Sequence, residues 1–433
     1  MMKKLAAAAA ALLAACSQSA PPAEHGYGAE PQLPAPESSM LPTVNTARAV
    51  GWPEGAAPRA PEGFTVTRYA ENLDHPRWLY LLPNGDVLVA ESSSKPQTGG
   101  GIEGWIRNMV QRGAGALGES ADRITLLRDS DGDGDVDARH VFAEDLNQPF
   151  GMALVGENLF VGNTDAVVRF RYTPNATRAE GAPETVLELP YCDGDNGHWT
   201  RNIVASPDGS KLYVAVGSAS NIGDHGMEAE EGRAAIWRLN PDGTEARVFA
   251  SGLRNPVGMS FEPETGALWV AVNERDMLGD NLVPDYMTSV QDGGFYGWPY
   301  YYWGANRDER VEIPANVRLQ APLTPDYALG AHTASLGLFF YHFDALPERY
   351  WNGVFIGQHG SWNRSERVGY RVAFVPFANG RPSGDVEEFL GGFLNARGQA
   401  QGRPVGVAMD RTGALLVADD VGNIVWRVAP DAR

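Results

Sequence analysis

Cysteine is almost missing from this chain: Cys16 and Cys192 are the only two in 433 residues. Apart from Cys16 only Cys192 is left, so no internal disulfide framework is possible, and the absence of a Cys-x-x-Cys-His run excludes covalently attached haem c. Cys192 then reads as a small buried hydrophobe. Lysine is nearly as scarce, with only Lys95 and Lys211 beyond the first few residues. The net charge of −19 argues against nucleic acid as a partner, which calls for a basic surface. Outside the leader no apolar run is long enough to cross a bilayer.

The leader itself is informative. Met1-Met2-Lys3-Lys4 is a basic start, residues 5–13 are an apolar run too short for a permanent span, and Leu13-Ala14-Ala15-Cys16 has the pattern of a bacterial lipobox. Residues 1–15 are therefore expected to be a lipoprotein signal peptide, cleaved before an acylated Cys16. An ordinary signal peptide with a chance cysteine is the alternative. Ser17 in second place, rather than Asp, resembles lipoproteins sorted to the outer membrane, which puts the domain in the periplasm on a stable multi-chain anchor. Residues 16–62 are rich in Ala, Pro, Ser and Glu without a sustained apolar period. They read as a tether, within which 44–50 is able to pack back onto the domain. Residues 63–433 form one domain.

That domain repeats one phrase six times: a β-branched or aromatic strand, a Pro/Asn/Asp/Gly turn and a second strand. The copies are 77–91, 150–162, 202–217, 255–272, 335–357 and 402–419. Asn-Gly and Asp-Gly turns between such strands favour the primed hairpin turns, which need positive φ. Copies starting roughly 50–80 residues apart suit a radial array of small sheets. The expectation is all-β: a six-bladed β-propeller with four-stranded antiparallel blades, closed by pairing of 63–69 with a C-terminal strand.

In a propeller, chemistry belongs to loops at one axial end. Three loops stand out. Residues 195–202 carry His198 beside Gly197, with Trp199 and Arg201 following; an imidazole there suits a general base, or a purely structural role. Leu253-Arg254-Asn255-Pro256-Val257-Gly258 places an arginine where it suits an oxyanion, or a salt bridge between blades. Residues 272–280, with Asn273, Glu274, Arg275, Asp276 and Asp280, offer the oxygens a hard cation prefers. Glycines beside aromatics at 293–299 indicate close backbone approach to a planar ligand or a tight turn.

Together these motifs resemble the glucose/sorbosone dehydrogenase family, over essentially everything from Gly63 onward. The sorbosone branch is the closer likeness, through Asn273-Glu274-Arg275-Asp276 and His359-Gly360-Ser361-Trp362-Asn363-Arg364-Ser365. The resemblance implies a periplasmic propeller using pyrroloquinoline quinone (PQQ) and Ca²⁺. It would oxidise a sugar, polyol or sugar aldehyde by hydride transfer and pass electrons to a separate quinone or cytochrome. It further implies His198 as base, Arg254 at the cofactor oxyanion, Ca²⁺ near the main-chain carbonyls of Glu274 and Arg275, and Asn255 and Asp280 lining the cofactor. Arg201 and His332 join that lining set.

Two departures follow. The family's soluble glucose dehydrogenases hold the catalytic His with an Asp, where this chain has Ser218. They also place a Lys on the cofactor carboxylates; here Arg364 and Arg403, with His359 nearby, are the expected substitutes. A non-catalytic ligand- or protein-binding propeller and a Ca²⁺-dependent hydrolase or lactonase stay open as alternatives. The 129–137 run (Asp129-Ser130-Asp131-Gly132-Asp133-Gly134-Asp135-Val136-Asp137) matches half an EF-hand loop, but His140 stands at the twelfth position. It reads as an acidic hairpin tip rather than a Ca²⁺ site. A short helix is expected over 103–112.

Overall fold

The computed structural model describes residues 26–37, 43–96, 108, 111–192, 196–315 and 318–431. Six antiparallel sheets circle an axis, and the innermost strand of each blade opens its repeat. Blade I is Pro76–Leu81, Val87–Glu91, Arg123–Arg128 and Ala138–Ala143. Blade II is Met152–Val155, Asn158–Gly162, Ala166–Arg171 and Glu180–Glu188. Blade III is Ile203–Ala205, Leu212–Val216, Ala235–Leu239 and Arg247–Ser251. Blade IV is Pro256–Phe261, Leu268–Val272, Pro284–Ser289 and Tyr327–Ala331, with Tyr27–Gly28 as a fifth strand. Blade V is Phe339–Phe340, Val354–Gln358, Arg371–Val375 and Glu387–Leu390. Blade VI is Pro404–Met409, Leu415–Asp419 and Ile424–Pro430, completed by Phe64–Ala70. The expected ring closure is present: Phe64 pairs with Pro430 and Thr65 with Ala429.

Strand position explains the sequence pattern. Second strands such as Val87–Glu91, Leu268–Val272 and Leu415–Asp419 are buried at every residue, because blades stack on both of their faces. Outer strands alternate or are mostly exposed, as in Phe64–Ala70 and Glu180–Glu188. On the face of blade V turned to blade VI, Phe355 lies 4.8 Å from Phe389 and 4.9 Å from Phe374, centroid to centroid, in one buried cluster with Val417, Trp426 and Val428 of blade VI. Phe355→Ala is expected to cost about 3–5 kcal/mol through transfer and cavity terms. Denaturant unfolding checks it, and a loss under about 1 kcal/mol would mean the seam is not close-packed.

The up-and-down strand order sets where function concentrates. In every blade the loop before the first strand and the loop after the second meet at the same axial end. The hairpins joining strands one to two and three to four lie at the other. The stretch expected as a tether is packed on the domain in its described residues. Glu37 donates to Leu278 O (3.0 Å), Asn45 to Trp362 O (2.9 Å) and Val50 to Ala400 O (2.8 Å). Trp52 anchors it, with its indole N–H on Asp419 Oδ2 at 2.6 Å and its ring edge-on to Phe393 and Trp426. So 26–37 and 43–62 form a strap across the loop-bearing end, of which sequence patterning anticipated only 44–50. Cys16 and the leader lie outside the described residues, as does most of the helix expected at 103–112.

Candidate active site

The loop entering blade III carries His198. Gly197 precedes it with φ of +58°, and a Cβ there would meet Ala219 O at 1.9 Å, so no other residue fits. The His198 amide donates to Ser218 O at 3.1 Å, and its Nδ1 lies 3.0 Å from both Ser218 O and Ser218 Oγ. Ser218 Oγ already donates its own hydrogen to Ser220 O at 2.7 Å. Both Ser218 oxygens therefore accept, Nδ1 carries the ring hydrogen, and Nε2 keeps its lone pair. Gly217 lets two functional loops close up: a Cβ on it would stand 2.6 Å from His198 Cβ and 2.4 Å from Asn255 Oδ1. That same Asn255 oxygen is buried without a hydrogen-bond partner.

Two buried arginines brace this loop. Arg201, expected to line the cofactor, is fully buried and donates to His198 O (2.8 Å), Thr200 O and Pro190 O. Arg233, unnoticed in the sequence, reaches Asn196 O, His198 O, Ser218 O and Gly217 O. Burial pushes both guanidinium groups below the usual arginine range.

Arg254 lies behind Asn255 in an oxygen cage. Its Nε donates to Asn221 O (3.3 Å), one terminal nitrogen to Glu274 O (2.7 Å) and Asn273 O (3.3 Å), and the other to Asn221 Oδ1 (3.0 Å) and Asp276 Oδ2 (3.2 Å). Those five bonds account for all five of its N–H groups. Asp276 also faces His332, whose Nδ1 is 3.3 Å from Asp276 Oδ1 and whose Nε2 donates to Gly279 O at 2.9 Å. His332 is thus buried in the loop's support rather than lining a cavity. Burial works against its charge, but the Asp276 hydrogen bond and charge outweigh it and raise the imidazole above its ordinary range. The stabilisation this gives is complete below the unfolded histidine value and is lost as pH rises through the raised folded one. His332→Asn should accordingly destabilise more at pH 6 than at pH 9, read as the difference in unfolding midpoint from wild type; a gap independent of pH would contradict the assignment.

Asp280 accepts from the Ser365 amide (3.1 Å) and hydroxyl, and Arg364 donates to Asp280 O at 2.5 Å. Among the described residues Arg364 makes no ion pair, and its Nε is buried without a partner. Arg403 behaves alike: it donates to His359 O (3.3 Å) and to Ala47 O of the strap (3.1 Å), lies 4.9 Å over Tyr370, and has an orphaned Nε. His359 Nε2 meets Asp420 Oδ2 at 2.8 Å, and Arg77, which stacks 5.4 Å over Trp199, donates to the same carboxylate. Burial together with the charges of Arg403 and Arg77 pushes His359 down to about 4 against the pull of Asp420, so the ring is neutral at pH 7 and donates from Nε2.

The glycine–aromatic run at 293–299 packs as support: Trp298 donates to Asn221 O (2.9 Å) and Pro299 O accepts from Arg275 (2.7 Å). The 129–137 run is a hairpin tip at the opposite axial end. Carboxylate oxygens of Asp129, Asp131 and Asp137 lie within 4.8 Å of one another there, and Arg411 donates to Asp129 O.

A family model described as TrAA12-like matches residues 58–291 and 318–430. The chain is 30% identical over 321 residues to the aldose sugar dehydrogenase YliI of Escherichia coli, covering 69% of this chain and 78% of that one. Among solved structures it resembles the holo PQQ domain of pyranose dehydrogenase from Coprinopsis cinerea, with a TM-score of 0.66, 20% identity and coverage of 89% and 100%. It likewise resembles the calcium structure of a Trichoderma reesei carbohydrate-active enzyme of family AA12, with a TM-score of 0.68, 18% identity and coverage of 90% and 100%. At such identities the two structures establish a common fold.

Proposed function

The chain belongs to the TrAA12-like family, and from that membership we propose that it is a PQQ-dependent dehydrogenase of sugars or related polyols and aldehydes. The observation that carries the reading is the tautomer of His198. Ser218 holds the Nδ1 hydrogen, so Nε2 is the acceptor nitrogen of the ring. An imidazole so placed takes the proton of a substrate hydroxyl or aldehyde hydrate. The carboxylate partner expected from resembling enzymes is replaced by two neutral acceptors, which fix the ring without adding negative charge.

Arg364 and Arg403 are the residues that would hold the carboxylates of a tricarboxylate quinone. Among the described residues Arg364 and Arg403 each keep a buried Nε without a partner, and guanidinium pairs carboxylates bidentately. Bound PQQ would supply the two-electron acceptor. Arg254, with its donors already engaged, contributes fixed positive charge rather than a free hydrogen bond. Electrons then leave to a separate acceptor. The aldose sugar dehydrogenase among the relatives supports a sugar-type substrate; narrowing it to sorbosone rests only on the 273–276 and 359–365 motifs. Acylation at Cys16 and an outer-membrane position facing the periplasm complete the proposal.

Two observations favour the non-catalytic propeller instead: the Arg254 donors are engaged, and Ser218 replaces an acid. Reconstitution separates the two. Apo-protein with PQQ and excess Ca²⁺ should develop a bound-quinone spectrum and reduce a dye when given members of a sugar panel. A spectrum without turnover on any donor would favour the binding module, and no spectrum at all would overturn the dehydrogenase reading.

A further inference from the structure

The sequence led us to expect Ca²⁺ on the main-chain carbonyls of Glu274 and Arg275; in the structure Glu274 O accepts from Arg254 at 2.7 Å, and a guanidinium stands where that ion was expected. A calcium ion takes six to eight oxygens. Along 273–280 nearly every carbonyl already accepts from a nitrogen. Asn273 O and Glu274 O accept from Arg254 (3.3 and 2.7 Å), Asp276 O and Met277 O from Arg310 (3.0 and 3.2 Å). Leu278 O accepts from the Glu37 amide (3.0 Å), Gly279 O from His332 (2.9 Å) and Asp280 O from Arg364 (2.5 Å). Arg275 O is the exception among the described residues.

The side-chain oxygens are engaged too. Asn221 Oδ1 and Asp276 Oδ2 face Arg254; Glu274 Oε2 accepts from the Arg275 amide (3.0 Å) and Nε (3.1 Å). Asp285 accepts from Asn273, the Glu274 amide, Thr333 and the Ser335 amide. Among the described residues no trio of acidic or histidine ligands gathers at this loop. What sits among these oxygens is a guanidinium, buried and permanently charged.

We propose that Arg254 is the resident cation of this loop, and that the protein binds its quinone without Ca²⁺. Asn221, Asn273, Glu274 and Asp276 then serve as a shell for Arg254, tying blade III to blade IV. A divalent ion brought to the same oxygens would face that guanidinium at close range. The quinone part of this inference rests on the function proposed above; the cation part does not.

The test titrates apo-protein with PQQ, read by quinone absorbance, in excess Ca²⁺ and again in a calcium chelator. Affinities should agree within about twofold, whereas genuine coupling of metal to cofactor would separate them by roughly 5–150-fold. Chelator-sensitive binding restored by Ca²⁺ overturns the proposal. Calorimetric titration of Ca²⁺ into wild type and Arg254→Met is the second arm, with the acidic hairpin at 129–137 common to both. The variant should bind one more Ca²⁺ per chain than wild type. Equal stoichiometry overturns the proposal, whether or not PQQ binds. If no quinone binds under either condition, the functional reading fails while the calorimetric comparison still decides the cation. Should Arg254→Met not fold, the chelator comparison on wild type decides alone.

Discussion

His198→Ala is expected to leave quinone binding near wild type while lowering turnover by about 10²–10⁴-fold, the usual contribution of a positioned general base. The expectation follows from the ring's surroundings. Its Nδ1 is tied to Ser218 and its main chain to Arg201 and Arg233, so the imidazole is held by groups that survive its removal. Ser218→Ala should do less, because Ser218 O remains 3.0 Å from Nδ1. Spectral titration with PQQ and steady-state dye reduction report the two quantities separately. A His198→Ala protein with unimpaired turnover would remove the base from the mechanism.

Arg403→Ala and Arg364→Ala should each weaken PQQ by roughly tenfold or more, since a charged hydrogen bond contributes about 1.5–3 kcal/mol, and the double variant should lose more. The contrast with Arg254 motivates this: its N–H groups are used by protein oxygens, whereas Arg364 and Arg403 keep orphaned nitrogens. Arg403 also touches Ala47 O, so its variant should loosen the strap, visible as faster proteolysis near residue 47. Equilibrium titration measures the affinities. If neither arginine matters and Arg254→Ala abolishes binding, the anion site lies at blade IV.

The blades are legible in the sequence because each hairpin combines a turn demanding positive φ with strands buried on both faces. Two of the catalytic candidates, His198 and Arg254, are legible through short motifs beside glycine or proline. Asn221, Arg233, Arg77 and Asp420 are not, since isolated polar residues in loops carry no period. One signal was available. Ser218, Asn273, His359 and Asp420 all follow the second strand of their repeat, the position that topology turns toward the loop-bearing end. The strap escaped notice for a different reason. A single anchor such as Trp52 in a Pro/Ala-rich stretch leaves no amphipathic pattern, though its packing against Phe393 and Trp426 is specific. The engagement of the loop carbonyls, on which the Ca²⁺ question turns, is a matter no motif encodes.

The pairing of Phe64–Ala70 with Ile424–Pro430 bears on the timing of synthesis. Thr65 and its bonded partner Asp431 are separated by 366 residues. At about 5–20 residues per second the first strand therefore waits roughly 20–70 s for the last. During that interval two sheet edges stand open, and open edges recruit other chains. The waiting strand, Phe-Thr-Val-Thr-Arg-Tyr-Ala, carries threonines and an arginine between its apolar residues, which makes it a poor template for a stranger. A nascent chain stalled just short of residue 424 should be a ring with one gap, protease-sensitive at 64–70 while blades II to IV are already protected.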